Sequence, residues 1–121
     1  MASILRVNTL TDASSNNSVA TSVLFNGSAK AWNNVTQGTS AIQDSYNISS
    51  ISDDGTGEYT QNYSNNMTNA LYAISGTAQN AGCITTITVS SNLTKLRTIL
   101  TSSAGVNDYD DACNSIHGDL A

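Results

Sequence analysis

The chain has 121 residues, of which 39% are hydrophobic and only 11% are charged, against roughly 25% charged residues in an average soluble protein. Its formal net charge of −5 leaves no basic patch to neutralise phosphates, so nucleic acid is excluded as a partner. No apolar run approaches the roughly 20 residues that span a bilayer, so no membrane insertion is expected.

Uncharged polar residues, mainly Ser, Thr and Asn, take the place of charges, and the chain contains no Pro. Disordered chains usually combine low hydrophobicity with high net charge and plentiful Pro. Because the apolar residues here follow strand patterns, we expect an ordered β protein. Few charges and no Pro also leave strand edges without their usual protection, which favours a homo-oligomer, with internal covering of the edges as the alternative.

Residues 1–29 are predicted to form an extended attachment arm. The start, Met1–Asn8, lacks the basic and long apolar regions of a signal peptide, so synthesis in a cytoplasm is expected. A short β-type segment at Ser3–Thr11 is followed by a loop and by an apolar cluster within Val19–Phe25. The stretch is too short to fold alone, yet its apolar side chains are suited to docking. We expect assembly contacts from Ile4, Leu5, Val7, Leu10, Val23, Leu24 and Phe25.

Residues 30–121 are predicted to form the β domain, beginning with a strand at Lys30–Gln37. Trp32 is the only Trp of the chain. A core or interface anchor is its favoured role, because an indole buries a large area. A platform that stacks against a sugar is the alternative.

The stretch Asp44–Tyr63 has the pattern of a β-hairpin. Its middle, Ser52–Gly57, carries the Asp and Gly residues of a turn. Tyr46 and Ile48 are predicted to share one strand face, and Tyr59 and Tyr63 to share a face on the returning strand, with Gln61 between them. Ile51 is out of phase with Tyr46 and Ile48, which predicts a bulge near Ser49 and Ser50.

Further strands are predicted at Leu71–Ala78, Cys83–Val89, Lys95–Thr101 and Tyr109–Leu120. The segment Lys95–Thr101 also fits a helical turn, but its length favours a strand. About six or seven strands separated by turns predict an all-β fold, an antiparallel β-sandwich or small barrel. The expected core or interface anchors are Trp32, Tyr46, Ile48, Tyr59 and Tyr72.

No constellation for catalysis is found. His117 is the only histidine and could pair with Asp119 on a strand face, but no Ser stands in a Gly-x-Ser-x-Gly elbow. The carboxylates cluster in predicted turns, where Asp bonds to its own backbone; a glycosidase pair or a Ca²⁺ site are the alternatives. We therefore expect a non-enzyme without cofactor or metal. The clusters are Asp53, Asp54 and Glu58, and Asp108, Asp110 and Asp111.

The two cysteines, Cys83 and Cys113, form no metal-binding pattern. They fit either one disulfide or two small buried side chains. The second interpretation is favoured for a product of the cytoplasm.

Four stretches resemble small virion proteins of marine bacteriophages of the cyanophage type, which are often labelled tail-fibre-like. The stretches are ILRVNTLTDASSNNS at Ile4–Ser18, GSAKAW at Gly27–Trp32, DSYNISSISDDGTGEYT at Asp44–Thr60, and HGDL at His117–Leu120, together with Tyr72. The resemblance covers nearly the whole chain. One departure is the polar run Tyr59–Tyr63, where the family leads us to expect a more apolar strand.

The resemblance implies a β-rich, non-enzymatic, trimeric protein on the exterior of a phage particle. A head decoration protein or a short tail-fibre subunit fits this description, with other copies of the chain and the major capsid or tail proteins as partners. The alternative is a tail module that recognises a host-surface glycan through Trp32 or exposed tyrosines.

Overall fold

One eight-stranded antiparallel sheet dominates the structure, a computed structural model that describes residues 3–80 and 82–121. Its strands follow each other across the sheet in the order β4-β3-β10-β7-β8-β9-β6-β5. The strands are β3 (Ala31–Thr36), β4 (Ala41–Tyr46), β5 (Ile48–Gly55), β6 (Glu58–Tyr63), β7 (Ala73–Ala78), β8 (Gly82–Val89), β9 (Leu93–Leu100) and β10 (Ala112–His117).

The two outermost strands of this sheet, β4 and β5, are consecutive in the chain and meet at Asn47. This residue adopts a left-handed backbone conformation, with φ of 59°. Its side-chain amide donates to the carbonyl oxygens of Lys30 and Asn65 at 3.1 and 3.0 Å, and its Oδ1 accepts from the Asn65 backbone N–H. The sheet is thereby curled into a nearly closed, barrel-like form. The all-β prediction is confirmed, and most strand edges are covered within the chain itself.

The predicted central hairpin is β5 and β6. Gly55 and Gly57 form its turn with φ of 128° and 69°, conformations that an L side chain rarely adopts. The pairing register shifts between Ile48 and Ser50, which confirms the predicted bulge. The prediction that Tyr46 and Ile48 share one strand face is wrong. The reversal at Asn47 ends one strand and begins the next, which leaves Tyr46 exposed and Ile48 buried.

This split at Asn47 also explains why the sheet has eight strands instead of six or seven. The segment Lys95–Thr101, which also fitted a helical turn, lies in β9 up to Leu100. The strand prediction, which the short length of the segment favoured, is therefore confirmed. The predicted strand Tyr109–Leu120 is shorter in the structure, since β10 ends at His117 and Leu120 lies beyond it.

Before the barrel, the chain forms a short hairpin and a helix. The hairpin is β1 (Thr9–Thr11) with β2 (Ser18–Ala20), and helix α1 follows at Thr21–Gly27. An extended arm is not what the structure shows here, because the apolar cluster Val19–Phe25 is divided between β2 and the helix. Met1 and Ala2 lie outside the described residues. No helix among residues 3–80 and 82–121 has the length and apolarity to cross a membrane.

The barrel interior contains two apolar clusters. One surrounds Tyr59 and Leu96, which are 1% and 0% exposed. The other surrounds Tyr63, Met67 and Ile116. Side chains alternate between the interior and the outside along β3, β6, β9 and β10, following the two-residue period of a strand.

A layer of buried amides separates the two apolar clusters. Asn33, Gln61 and Asn114 occupy the middle inward position of β3, β6 and β10. Asn33 Nδ2 donates to Gln61 Oε1 at 2.8 Å, Asn114 Nδ2 donates to Asn33 Oδ1 at 2.8 Å, and Gln61 Nε2 donates to Asn114 Oδ1 at 3.2 Å. Asn114 Nδ2 also lies 3.1 Å from the Tyr59 hydroxyl. Gln61, in the middle of the polar run Tyr59–Tyr63, is thus accommodated in the interior because these bonds satisfy its amide.

The strands run alternately between two ends of the barrel, which we call the near end and the far end. Residues 3–29 join the barrel at the near end, where the Lys30 backbone N–H donates to the Ile116 carbonyl at 2.7 Å. The last residues pack there too, since the Thr68 N–H donates to the Asp119 carbonyl at 2.8 Å. The far end carries the turns that follow β3, β5, β7 and β9.

Candidate functional site

A row of side chains crosses the outer surface of four neighbouring strands. The strand register places Tyr46 opposite Trp32, Trp32 opposite Ser115, and Ser115 opposite Ser75. Trp32 is 38% exposed and Tyr46 is 53% exposed. Because neighbouring strands are about 4.8 Å apart, the row extends about 14 Å across the sheet.

An open groove of about 540 Å³ lies along this row, and we call it the outer groove. Small side chains on β10 and β7 form its centre, and the Trp32 indole stands at its side. Gly76 allows β7 to approach β10 closely, because a Cβ there would come within 2.7 Å of the Cys113 carbonyl oxygen. The lining residues are Trp32, Asn33, Asn34, Ser75, Gly76, Thr77, Cys113, Asn114 and Ser115.

The polar groups of the outer groove are uncharged and retain capacity for hydrogen bonds. The hydroxyl oxygens of Ser75 and Ser115 are 3.1 Å apart, so one donates to the other. That bond leaves one hydroxyl hydrogen and several lone pairs of the two serines for other partners. Asn34 donates through Nδ2 to Asp111 Oδ1 at 3.3 Å, while its Oδ1 is buried without a hydrogen-bond partner among the described residues.

The structure places the residues predicted for assembly on the surface. All seven are exposed, from Val7 at 39% to Leu5 at 79%. Helix α1 has no buried residue, and its most extensive contacts are with β2. The exposed set is Ile4, Leu5, Val7, Leu10, Val23, Leu24 and Phe25.

The predicted anchors divide into two groups. Ile48 and Tyr59 lie in the core, and burial raises the pKa of the Tyr59 hydroxyl well above its usual value. Tyr72 is partly buried, and its hydroxyl donates to the Ser90 carbonyl oxygen at 2.8 Å. Trp32 and Tyr46 are instead on the outer surface, where Trp32 lines the outer groove and Tyr46 lies beside it on β4.

The carboxylates predicted to lie in turns form hydrogen bonds and ion pairs with neighbouring groups of the fold. Asp53 Oδ1 accepts from the Gly55 N–H at 2.8 Å, and Asp108 Oδ1 accepts from the Gly57 N–H at 2.6 Å. Glu58 forms ion pairs on the outside of the sheet with Lys95, at 2.9 Å, and with Arg97. The bond from Lys95, followed by that from Arg97, lowers the pKa of Glu58 below its usual value.

The remaining candidates for chemistry are dispersed. His117 is the last residue of β10, so Asp119 lies beyond the strand instead of beside it on the same face. In residues 3–80 and 82–121, no group of three or more His, Cys, Asp or Glu side chains could hold a metal ion. Both cysteines are free, because Thr77 of β7 pairs with Cys113 on one side and with Cys83 on the other. The expectation of burial is wrong for Cys113, which is exposed.

Two features of the molecule were not predicted from the sequence. The amide layer has a recognisable signal, since each amide lies two residues from inward apolar side chains on both sides, as in Tyr59, Gln61 and Tyr63. The polar side of the outer groove has no such signal, because Ser75 and Ser115 meet only through the register of β7 with β10. Comparison with protein-family models, curated proteins and solved structures finds no match to this chain.

Proposed function

We propose that the chain is a non-enzymatic structural subunit on the exterior of a bacteriophage particle, where it assembles with copies of itself and is held by residues 3–29. A head decoration protein or a short tail-fibre subunit, trimeric in either case, is the form that the resemblance implies. The observation that carries the proposal is the exposure of every large apolar side chain assigned to assembly in those residues.

Exposed apolar side chains are costly when they are concentrated in one short segment. Soluble monomers rarely expose large contiguous apolar patches, and such patches mark interaction sites. Ile4, Leu5 and Phe25 are 75%, 79% and 70% exposed, although they lie within the first 25 residues. Contact with another protein chain would remove these side chains from water.

A surface suited to such contact lies beside the same segment. A crevice of about 500 Å³ at the near end runs between the C-terminal end of α1 and the barrel, and Phe25, Tyr46 and Leu120 are its apolar residues. These side chains are 70%, 53% and 37% exposed. We assign this crevice to the first segment of a second copy, because the apolar side chains of that segment match its lining.

The non-enzymatic part of the proposal is supported by how the acids are used. A glycosidase requires one carboxylic acid with a raised pKa near a second carboxylate. Glu58 has a lowered pKa because of Lys95 and Arg97, and Asp53 and Asp108 each hold a glycine N–H of one turn. These roles are those of residues that maintain the fold.

A first experiment tests assembly through the segment. Leu5→Ser together with Phe25→Ser removes two of its exposed apolar side chains, and we expect the oligomer to dissociate in light scattering coupled to size-exclusion chromatography. The matched control is Leu71→Ser, which removes a leucine that is 88% exposed in the loop before β7. A monomeric parent protein, or equal dissociation in the control, would contradict attachment through residues 3–29.

A second experiment tests the location. Cryo-electron microscopy of intact particles is compared with particles whose gene for this chain is deleted. Density missing from the capsid surface would identify a decoration protein, and density missing from the tail would identify a fibre subunit. Identical maps would refute the virion assignment itself.

A further inference from the structure

The outer groove combines an aromatic surface with uncharged hydrogen-bonding groups. A flat indole offers an apolar face with a polar edge, and the Trp32 side chain is 38% exposed. Tyr46 adds a second exposed aromatic ring in the same row, on the adjacent strand. Small-molecule sites typically pair such apolar surfaces with a few placed polar groups.

The polar groups in the row are the kind that bind hydroxyls. Ser75 and Ser115 can each accept hydrogen bonds beyond the one they share, and one of them can also donate. Asn34 Oδ1 lacks a donor although it is buried, and Asn34 lines the groove.

The charge around the groove favours neutral ligands over anionic ones among molecules that carry many hydroxyl groups. None of the described residues that line it is charged. At its margin, Asp111 lies within 3.3 Å of Asn34, and Asp44 is the register neighbour of Asn34 on β4. These carboxylates, together with the net charge of −5, disfavour anionic ligands.

We propose that the outer groove binds a neutral oligosaccharide. The Trp32 ring stacks against the apolar face of a sugar unit, and Ser115 and Ser75 bind hydroxyl groups farther along the row. The part of the row from Trp32 to Ser75, about 10 Å long, accommodates a short chain of sugars better than a single unit. This inference concerns the groove alone and does not depend on the location of the protein or on residues 3–29.

The test uses the fluorescence of Trp32, which reports on this surface alone because the chain has no other Trp. The purified full chain is titrated with cellotriose, maltotriose, mannotriose and triacetylchitotriose, and with trigalacturonate as the anionic comparison. We expect a saturable emission change with at least one neutral trisaccharide at a Kd of about 1 mM or lower. No saturation with any of the four, or binding of trigalacturonate alone, would overturn the proposal.

Variants then locate the site by calorimetry with the trisaccharide that binds. Trp32→Ala is expected to weaken binding at least about tenfold, and Trp32→Phe to weaken it less, because the phenyl ring still stacks. Leu71→Ala, which removes an exposed apolar side chain outside both the groove and residues 3–29, is the control and should bind as the parent does. Thermal unfolding of each variant verifies the fold. Unchanged affinity in folded Trp32→Ala would refute the site.

Cys113 gives an independent test, because its exposed thiol lies in the centre of the groove. In a Cys83→Ser background, attachment of N-ethylmaleimide to Cys113 adds bulk where the sugar would lie. We expect the labelled protein to lose binding, while the unlabelled Cys83→Ser protein retains it. Full binding by the labelled protein would refute the groove as the site.

Discussion

Residues 3–29 and the barrel differ in which side chains they bury. In the first segment, apolar residues such as Leu5 and Phe25 are 79% and 70% exposed. In the barrel, amides such as Asn33 and Gln61 are 2% and 0% exposed. The difference shows that burial here depends on available partners more than on hydrophobicity. The amides find each other across the closed sheet, whereas a short hairpin and helix offer the apolar side chains no interior.

The largest expected difference in unfolding free energy between the two regions comes from replacing one leucine in each. Leu96→Ala removes a side chain that is 0% exposed in the barrel and should cost about 2–5 kcal/mol, the lost transfer energy plus the cavity. In the dissociated monomer, Leu24→Ala, at a residue that is 44% exposed in α1, should change the free energy of unfolding by no more than about 0.5 kcal/mol. Urea denaturation of both variants measures this difference, and equal losses would contradict it.

The amide layer should show a smaller effect with a distinctive pattern. Asn114→Leu leaves Asn33 Oδ1 and Gln61 Nε2 without their partner and should cost about 2–3 kcal/mol. Replacing Asn33, Gln61 and Asn114 together by Leu removes the unsatisfied amide groups and should recover most of this loss, apart from the part due to the Tyr59 hydroxyl, which loses Asn114 in either case.

The same urea experiment compares the single and triple variants. A triple variant whose loss equals the sum of three single losses would mean that the amides act independently. In that case the layer is not a network.

Alkaline pH should lower the free energy of unfolding through two buried tyrosines, with the smallest effect of the three. Burial raises the pKa of Tyr59 and Tyr63, so above pH about 10 the unfolded chain loses these protons while the folded chain keeps them. Stability is therefore complete below that pH and falls as pH rises, by up to about 1.4 kcal/mol per pH unit for each such tyrosine.

Two matched variants test this dependence. Tyr59→Phe should reduce the slope of unfolding free energy against pH between about pH 10 and 11, because one titrating group is removed. Leu71→Ala, which removes an exposed side chain without a titrating group, should leave the slope unchanged. The same slope in both variants would show that burial of Tyr59 does not cause the dependence.

The sequence predicts the local elements better than their closure. The hairpin β5–β6 follows from its Asp-Gly turn and alternating apolar residues, because both signals lie within one stretch of chain. The corner at Asn47 has no comparable signal, since a left-handed Asn in an Asn-rich chain is distinguishable only by its bonds to Lys30 and Asn65. A sandwich and a barrel therefore remain equal alternatives until the structure is known.

Prediction of the first segment and of the outer groove from the sequence is limited by other physical causes. Val23, Leu24 and Phe25 are consecutive, so they lack the spacing that would predict α1. Trp32 was predicted as an anchor or a sugar platform, because its size alone points to contact. Its neighbours in the row come from β10 and β7, and pairing between distant strands is not encoded in either strand alone.

The alternation of the strands between two ends gives the molecule a direction. The turns after β5 and β9 lie at the far end, opposite the point where residues 3–29 join the barrel. A peptide inserted at Ser102 or Ser103, which are exposed, would project away from that junction. The loop after β9 is thus the place where this barrel would display an inserted peptide, at the end opposite its junction with residues 3–29.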